Sequence, residues 1–381
     1  MKPTYLSCCN WIFSQPFYFF YFCCCIDSCN MSRTVLDVAV RAAGWAAFGY
    51  LVYVGAREFQ SRRRASSSHP GSSTTSLASS TSSSSSAATG PKVVRVTQLW
   101  CFPIKACAGT SMEEVEVDRL GVVDDRRRVI VDPQTHKFIT QRQFPRMALI
   151  RPSFDKADGH LVIDAPGMPT LHVVEPNDAS TPRVTVTIWG DSIVALPYND
   201  SAVTAWLTEF IGAPAMLVKT LPPQVHSRPV ETEYDLMIDG QPAHAAFSDG
   251  YPFLLASEES LVDLNNRLAN PVPILNFRPN IVVAGAGNPW AEDTWQTVRI
   301  GTTKFGVVKS CARCSVPTVD VQTGIRDKTS EPTKTLRTFR TVGDGVMFGQ
   351  NLIHYEKAGR LRVGDLVEVM ATDDHHQHIQ K

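Results

Sequence analysis

Hydrophobic and polar residues alternate in short runs over most of the chain after residue 90. The segment 93–100 alternates β-branched with polar residues, a pattern that predicts a β-strand. Similar runs recur downstream, separated by turns rich in proline, glycine, aspartate and asparagine. Further strands are predicted at 128–132, 147–152, 161–164, 171–175, 184–189, 192–197, 280–283, 297–300, 304–308, 315–320 and 365–370. This density of short strands favours a β-sandwich or barrel over alternating parallel units.

Two segments predict amphipathic helices instead. Asp200 and Ser201 precede the segment 202–211, which carries apolar residues at helical spacing behind a capping side chain. Ser257 opens a second helical segment that extends to Leu268 with leucines along one stripe. The predicted fold class is therefore α+β and β-rich, with a β-rich first half packed on a second, barrel-like half.

The first ninety residues differ in composition from the rest. Residues 1–30 are apolar, aromatic and rich in cysteine, and no basic region or cleavage site frames them as a signal peptide. They are interpreted either as an N-terminal extension or as a stretch without a folded role ahead of a start at Met31. Residues 65–90 are dominated by serine, threonine, alanine and glycine, which predicts a disordered, flexible linker.

The pattern of charged and apolar residues over 31–64 predicts a short membrane anchor. An uncharged stretch at 42–56 lies between Arg41 and the arginines Arg57 and 62–64. Fifteen helical residues span only about 22 Å, so flanking apolar residues and snorkelling arginines are needed to approach a ~30 Å hydrocarbon core. The excess of arginine after the stretch predicts that the rest of the chain stays in the cytosol. A cleaved organelle presequence is the alternative interpretation.

Charge and cysteine content narrow the class of protein. The chain has 37 basic and 37 acidic side chains, so no overall field favours nucleic acid as a partner. Six of the ten cysteines lie before residue 30, and the other four form two close pairs, Cys101/Cys107 and Cys311/Cys314. A secreted disulfide scaffold would spread its cysteines along a short chain. The predicted folded part is therefore reduced and intracellular.

The second cysteine pair is the most informative chemical feature. Arg313 lies between the two thiols, and thiolates bind soft metals or act as nucleophiles beside a cation. Three interpretations are open from the residues alone: a thiolate ligand of a soft metal, a structural zinc site shared with Cys101 and Cys107, and a redox dithiol. Cys101 follows a tryptophan and is expected in the core.

Three further polar clusters lie at predicted strand ends, at 102–107, 124–128 and 276–280. Their lysine, arginine and amide groups suit an anionic, hydrogen-bonding ligand. Taken singly, each has a simpler interpretation. Arg127 and Arg128 are expected as solvated strand ends, and Arg278 as the donor to a loop carbonyl.

Several separated motifs, taken in order, resemble one family. These motifs lie at 102–106, 125–126, 140–143, 247–253, 276–280, 311–314, 318–324, 348–350 and 363–365. The chain resembles the MOSC superfamily from about residue 93 to 371, and within it the mitochondrial amidoxime-reducing components, which are molybdenum-cofactor enzymes. The resemblance implies a MOSC N-terminal β-barrel region at 91–220, packed on a MOSC β-barrel domain at 221–371, and a C-terminal tail at 372–381.

The resemblance also implies the site. Cys314 would bind molybdenum beside the sulfurs of molybdopterin, and Lys105 and Arg126 would hold the terminal phosphate. Asp249 would act as a proton donor or position the substrate. The other cofactor-binding positions implied are Asp249, Gly250, Arg278, Asn280, Ala312 and Arg313. Two positions depart from the family pattern: Ala106 replaces a serine and Asn351 replaces a tyrosine.

The implied activity is reduction of N-hydroxylated compounds such as amidoximes and hydroxylamines, with nitrite as a second substrate. No G-x-G-x-x-G follows a predicted strand, so electrons are expected from separate proteins, by resemblance a cytochrome b5 and its NADH-dependent reductase. The expected location is the mitochondrial outer membrane facing the cytosol, or another intracellular membrane. The alternative is a non-catalytic cofactor carrier or a sulfur-carrier MOSC protein.

Overall fold

The computed structural model describes residues 93–373, except 156, 223–227, 231–236 and 239–240. The predicted N-terminal extension, anchor and linker lie outside the described residues, as does the tail from residue 374 onward. In the described part of the chain, no helix is both long and apolar enough to cross a membrane.

Short strands dominate the described ranges, which agrees with the predicted β-rich class. The first twelve in chain order are β1 Arg95–Cys101, β2 Thr110–Met112, β3 Glu114–Asp118, β4 Gly121–Val122, β5 Arg128–Val131, β6 Arg151–Phe154, β7 Leu161–Asp164, β8 Leu171–Val173, β9 Val184–Ile188, β10 Asp191–Pro197, β11 Met216–Thr220 and β12 Arg228–Pro229. The remainder are β13 Met237–Ile238, β14 Gln241–Pro242, β15 His244–Ala245, β16 Phe253–Ser257, β17 Ile281–Ala284, β18 Trp295–Ile300, β19 Thr303–Ala312, β20 Thr341–Val342, β21 Gly345–His354, β22 Gly359–Arg362 and β23 Val367–Thr372. The described α-helices are α1 Ser201–Ile211, α2 Glu258–Asn265 and α3 Thr333–Arg337.

Both predicted helix starts are capped as the sequence indicated. The Asp200 carboxylate accepts a hydrogen bond from the backbone N–H of Ala202, and the Ser257 hydroxyl accepts one from that of Ser260. Gly212 ends α1 in the left-handed conformation, which glycine adopts without steric cost. Helix α2 ends at Asn265, one turn before the predicted end.

The largest sheet joins strands from both ends of the chain. Its order is β2-β1-β17-β16-β21-β19-β18-β23, with β20 beside β21. Strand β1 pairs antiparallel with β17, and its first residues also bond the segment that leads into β23, where Arg95 bridges Leu366. The sheet therefore closes partly on itself, as a barrel does. Aliphatic and aromatic side chains such as Leu99, Phe253 and Phe305 fill its interior.

A four-stranded sheet of order β5-β11-β10-β9 lies in the first half of the chain. Helix α1 buries Val203, Trp206, Leu207 and Phe210 in an apolar cluster that also contains Ile130 and Leu217 of this sheet. Smaller sheets complete the fold, with orders β22-β3-β4, β6-β7-β8, β12-β15 and β13-β14. Because β3 pairs with β22, a second connection joins early residues to late ones.

Two predicted strands are wrong. Residues 147–152 begin instead with a 3₁₀ turn, Pro145–Leu149, because Pro145 favours the first helical position and Met147 and Ala148 pack inward. Residues 315–320 contain the 3₁₀ turn Val316–Thr318, in which the Thr318 hydroxyl donates to the Ser315 carbonyl. Strands β16 and β21 were not predicted, since both are buried almost throughout and show no alternation of polar and apolar residues.

A buried ion pair supports the strand that carries the cysteine segment. Arg340 and Asp293 are both nearly inaccessible and approach to 2.7 Å. The Gln350 amide donates to Asp293 over 2.6 Å, and the Ser310 hydroxyl donates to the Gln350 side-chain oxygen. Ser310 directly precedes Cys311, so this network holds β19 in place next to the cysteine segment.

We predict that Asp293→Ala lowers the free energy of unfolding by about 3–5 kcal/mol, because it leaves the Arg340 cation buried without a counter-charge. Urea denaturation of the two proteins measures the change. The matched control is Glu368→Ala, which breaks an exposed pair with Arg299 and should cost less than about 1 kcal/mol. Equal losses in the two variants would contradict the assigned role of the buried pair.

Candidate cofactor site

A cavity of about 270 Å³ lies on one face of the large sheet. Its floor includes a row of residues from three neighbouring strands, in which Leu254 of β16 and Lys309 of β19 both pair with Asn351 of β21. Side chains that pair across strands project to the same face of a sheet. The row therefore places a lysine and an amide beside an apolar side chain at the base of the cavity.

Strand directions bring the predicted polar clusters to this cavity. Strands β1 and β17 are antiparallel, with Leu99 opposite Ile281, so the loop after β1 and the loop before β17 lie at the same end. Strand β16 runs parallel to β17, so the turn before β16 also lies there. All four clusters predicted from the sequence contribute lining residues.

Two arginines lie against the ring of Phe102. The guanidinium carbons of Arg126 and Arg278 are each 4.3 Å from the ring centroid. Arg126 donates to Asp125 and to the Asn280 side-chain oxygen, at 2.6 and 3.1 Å. Arg278 donates one bond, of 2.5 Å, to the Cys107 carbonyl, as its simpler interpretation predicted.

The second terminal nitrogen of Arg278, Nη2, is buried and has no hydrogen-bond partner in the described structure. Burial, and then the neighbouring Arg126 cation, lower the pKa of Arg278 to about 9. A buried, unused donor costs free energy unless a ligand satisfies it. Both observations fit a cluster that receives an anion, such as the phosphate of molybdopterin.

Lys105 and Asp249 form an ion pair at the cavity wall. The Lys105 ammonium donates to the Asp249 carboxylate at 2.5 Å and to the Phe247 carbonyl at 2.7 Å. Burial lowers the pKa of Lys105, and the attraction of Asp249 offsets only part of that effect. The lysine is nearly inaccessible, whereas the Asp249 side chain is 70 % exposed.

Asp249 is held in its ionised form. The protein atoms around the cavity reduce its hydration and oppose ionisation, although its side chain is exposed. Attraction by Lys105 and hydrogen bonds from Lys105 and Trp189 outweigh that effect and hold the pKa of Asp249 well below its ordinary value. A carboxyl that stays ionised is a poor proton donor near neutral pH. The structure thus favours a positioning role for Asp249 over the donor role.

The two cysteines of the second pair differ in environment. Cys311 is half-buried and its sulfur accepts a hydrogen bond of 3.1 Å from Arg313. Cys314 is exposed, and its sulfur accepts a long bond, of 3.5 Å, from the backbone N–H of Val316. The Arg313 guanidinium also donates to the Phe277 carbonyl over 2.7 Å, so both of its terminal nitrogens bond neighbouring groups. Both thiols line the cavity, and Cys314 is the more available ligand for a soft metal.

Cys101 and Cys107 lie in separate apolar clusters, which confirms the core position expected for Cys101. Burial raises the pKa of the Cys107 thiol to about 12, so it is a poor metal ligand. No group of three or more histidine, cysteine, aspartate or glutamate side chains within the described residues could hold a metal ion. These positions do not support the four-cysteine zinc interpretation.

The remaining predicted residues divide into two groups. Gly250 and Ala312 are exposed and line the cavity. Asn280 also borders it, but its side chain is 2 % exposed and bonds Arg126, Leu254 and the Trp100 carbonyl. Asn280 therefore acts by holding neighbouring loops.

The expectation that Arg127 and Arg128 are solvated strand ends is wrong. Both are buried: Arg127 pairs with Asp118 at 2.5 Å, and Arg128 pairs with Glu175 at 2.6 Å. Burial of a guanidinium is tolerated here because each has a carboxylate partner. Neither arginine borders the cavity, and Arg126 is the member of the run that does.

The sequence did not single out Arg142 or Trp189. Arg142 lines the cavity, and Trp189 donates to Asp249 over 3.0 Å. Arg142 lies within a motif that resembles the family, but no spacing marks it as a site residue. Trp189 adopts the left-handed backbone conformation, as do Ala106, Arg126 and Arg278 around the same cavity. Such strained positions concentrate at functional sites.

Known families and relatives match most of the described part of the chain. The family model of the MOSC N-terminal beta barrel domain matches residues 93–214, and that of the MOSC domain matches residues 242–368. Mitochondrial amidoxime-reducing component 1 of Mus musculus is 34% identical over 291 residues, which are 73% of this chain and 83% of that protein. The chain belongs to the family of the mitochondrial amidoxime-reducing components.

Other members of this MOSC-domain family show how far the similarity extends. Component 1 of Homo sapiens is 32% identical over 73% of this chain and 84% of its own length. The molybdenum cofactor sulfurase of Solanum lycopersicum is 30% identical over 74% of this chain but only 36% of its own length. The family predicted from the motifs is therefore confirmed, together with a β-rich fold of two MOSC regions.

We predict that Asp249→Asn makes cofactor retention more sensitive to alkaline pH. Lys105 must be protonated to attract an anion, and burial already lowers its pKa. Without the Asp249 carboxylate the pKa of Lys105 falls further, so the affinity is lost at a lower pH than in the wild type. Molybdenum per chain, measured after buffer exchange at pH 7, 8, 9 and 10, checks this shift.

The control for this prediction is Asp178→Asn, which removes an exposed carboxylate paired with Arg183. Its retention profile should match that of the wild type. A profile for Asp249→Asn that is uniformly low, without a displaced midpoint, would contradict the role given to the ion pair.

Proposed function

We propose that this chain reduces N-hydroxylated compounds, such as amidoximes and hydroxylamines, to the N–H compound and water. The chain is a molybdenum-cofactor protein and an oxidoreductase of the amidoxime-reducing type, in keeping with its family. One observation carries the proposal. The exposed Cys314 borders the same cavity as the cationic groups of Lys105, Arg126 and Arg278.

The residues present fit the cofactor at both of its ends. Cys314 would bind the metal through its sulfur, and Lys105 and Arg126 would hold the terminal phosphate. The unpaired nitrogen of Arg278 offers that phosphate a further donor. The Ala312–Arg313 backbone and the turn at 249–250 would line the pterin between these ends. When bound, the cofactor supplies a Lewis-acidic metal that exchanges two electrons and accepts oxygen.

The protein's own groups would orient the substrate. Lys105 and Trp189 both donate to one oxygen of Asp249, Oδ1. Because the Asp249 side chain is 70 % exposed, it can also accept a hydrogen bond from the hydroxyl of an N-hydroxylated compound, at the exposed side of the cavity. Asn351 and Lys309 on the floor add polar contacts beside the apolar Leu254. Such fixed groups favour reaction by holding the N–O bond in one orientation.

Electron donors and location belong to the same proposal. The relatives are named mitochondrial components, which supports a mitochondrial location. Within it we propose the outer membrane, facing the cytosol, with residues 31–64 as anchor and 65–90 as a linker. Cytochrome b5 and its NADH-dependent reductase would supply electrons. Anchoring this chain to the same membrane as its donors would raise their effective concentration.

Nitrite reduction is a second proposed activity. We further propose that the two MOSC regions extend over 91–220 and 221–371.

A carrier that holds the cofactor without turnover is the second candidate. The similarity to the molybdenum cofactor sulfurase supports it, although this chain covers only 36% of that protein. A carrier and a reductase both bind molybdenum, so metal content alone does not separate them. Turnover of an N-hydroxylated substrate does.

We predict that Cys314→Ser abolishes benzamidoxime reduction by the full chain and lowers molybdenum from about one per chain to near zero, because a hydroxyl is a poor ligand for a soft metal. The matched variant is Cys311→Ser. It removes the other thiol that lines the cavity in the same segment. It should retain most of both signals, since the Cys311 sulfur only accepts a bond from Arg313.

Activity is measured with reconstituted cytochrome b5 and its reductase, and metal by elemental analysis. Equal losses in the two variants would contradict Cys314 as the metal ligand. Stoichiometric molybdenum without reduction of any N-hydroxylated substrate would favour the carrier.

A further inference from the structure

A second cation–aromatic stack lies at the cavity, apart from the one around Phe102. The guanidinium carbon of Arg142 is 4.3 Å from the centre of the Trp189 ring. Arg142 lines the cavity, and no carboxylate among the described residues forms an ion pair with it. The function proposed above assigns no role to this cation.

The backbone of Arg142 is fixed from both sides. Its N–H donates to the Thr140 hydroxyl over 3.1 Å, and its carbonyl accepts a bond of 3.0 Å from Arg326. Arg326 also donates to the Gln141 carbonyl, so its side chain bonds two consecutive carbonyls of this turn. The turn therefore presents Arg142 from a defined position.

The aromatic partner is fixed as well, although half of it is exposed. Trp189 is 50 % accessible, lies at the turn between β9 and β10, and has a backbone φ of 55°. Its ring nitrogen donates to Asp249, and its ring packs edge-on against Phe138 at a centroid distance of 5.1 Å. An exposed tryptophan held in a strained conformation serves better as a platform than as a core residue.

We propose that Arg142, stacked on Trp189, binds a carboxylate carried by the substrate. This inference rests on the proposed reductase function and names the substrate class: N-hydroxylated compounds that also carry one carboxylate. Lys105, Arg126 and Arg278 suit the phosphate end of the cofactor, whereas Arg142 is a further lining cation to which that function gives no task. A guanidinium fork matches one carboxylate through two parallel hydrogen bonds.

The position of this stack suits substrate selection. Trp189 and Lys105 bond the same oxygen of Asp249, so the stack is linked directly to the carboxylate proposed to orient the N-hydroxyl group. A substrate with its N–O group near Asp249 would place a distal carboxylate toward Arg142. Stacking on the ring withdraws part of the guanidinium from water, which strengthens its pairing with an anion.

The test compares benzamidoxime with 4-carboxybenzamidoxime on the cofactor-loaded full chain. In Arg142→Gln, the KM for the carboxylated substrate should rise about tenfold or more, with kcat unchanged, because a charge-assisted pair is lost. The KM for benzamidoxime should stay within about twofold. Arg142→Lys should recover part of the loss.

Arg151→Gln provides the matched control, since it removes an exposed arginine of β6 that does not line the cavity. Equal KM changes for both substrates in Arg142→Gln would overturn the inference. So would a parallel loss of molybdenum, which would assign Arg142 to the cofactor instead.

A binding measurement separates this inference from the proposed function. Calorimetry with the two products should show that the wild type binds 4-carboxybenzamidine more tightly than benzamidine, and that Arg142→Gln abolishes the difference. A wild type that reduces neither substrate but keeps this preference would refute the reductase function and leave the carboxylate site standing. Turnover of benzamidoxime without any preference would refute the carboxylate site alone.

Discussion

Asn280 donates a hydrogen bond to the carbonyl of Trp100, a residue 180 positions earlier in the chain. This bond lies where β1 ends and β17 begins, and the antiparallel pairing of these strands sets the geometry of the site. The loop after β1 supplies Lys105 and the loop before β17 supplies Arg278. Neither loop could hold an anion alone. The charge of the cavity is thus a product of long-range strand pairing rather than of any local run of basic residues.

The cavity concentrates cations at an electrostatic cost to the fold. The guanidinium carbons of Arg126 and Arg278 are each 4.3 Å from the centre of one ring, and the negative charge on the face of an aromatic ring attracts both and moderates their repulsion. Asp249 offsets the charge of Lys105. These arrangements leave a net positive interior, which matches a ligand with a phosphate and explains why hydrogen-bonding capacity remains on Arg278. Stability and binding are in opposition here, as is common where a site must be ready for its ligand.

Local patterns predicted the elements better than their arrangement. Strand β7 has the predicted bounds, and both helix caps were readable because a side chain bonds a backbone group within three residues. The strands β16 and β21 were missed because strands that are buried almost throughout show no alternation of polar and apolar residues. The polar clusters were readable from strand ends and from resemblance. Their convergence was not, because it depends on pairing over long separations, and Arg142 and Trp189 depend on that convergence for their significance.

The partial closure of the large sheet has a consequence for synthesis on the ribosome. Strand β1 lies between β2 and β17 and also bonds the segment before β23, so some of its partners are synthesised long after β1 itself. Folds dominated by such distant contacts form slowly. At the usual rate of elongation, β1 has left the ribosome tens of seconds before those partners are synthesised. The large sheet therefore stays open during that interval, because the segment that closes it has not yet been synthesised.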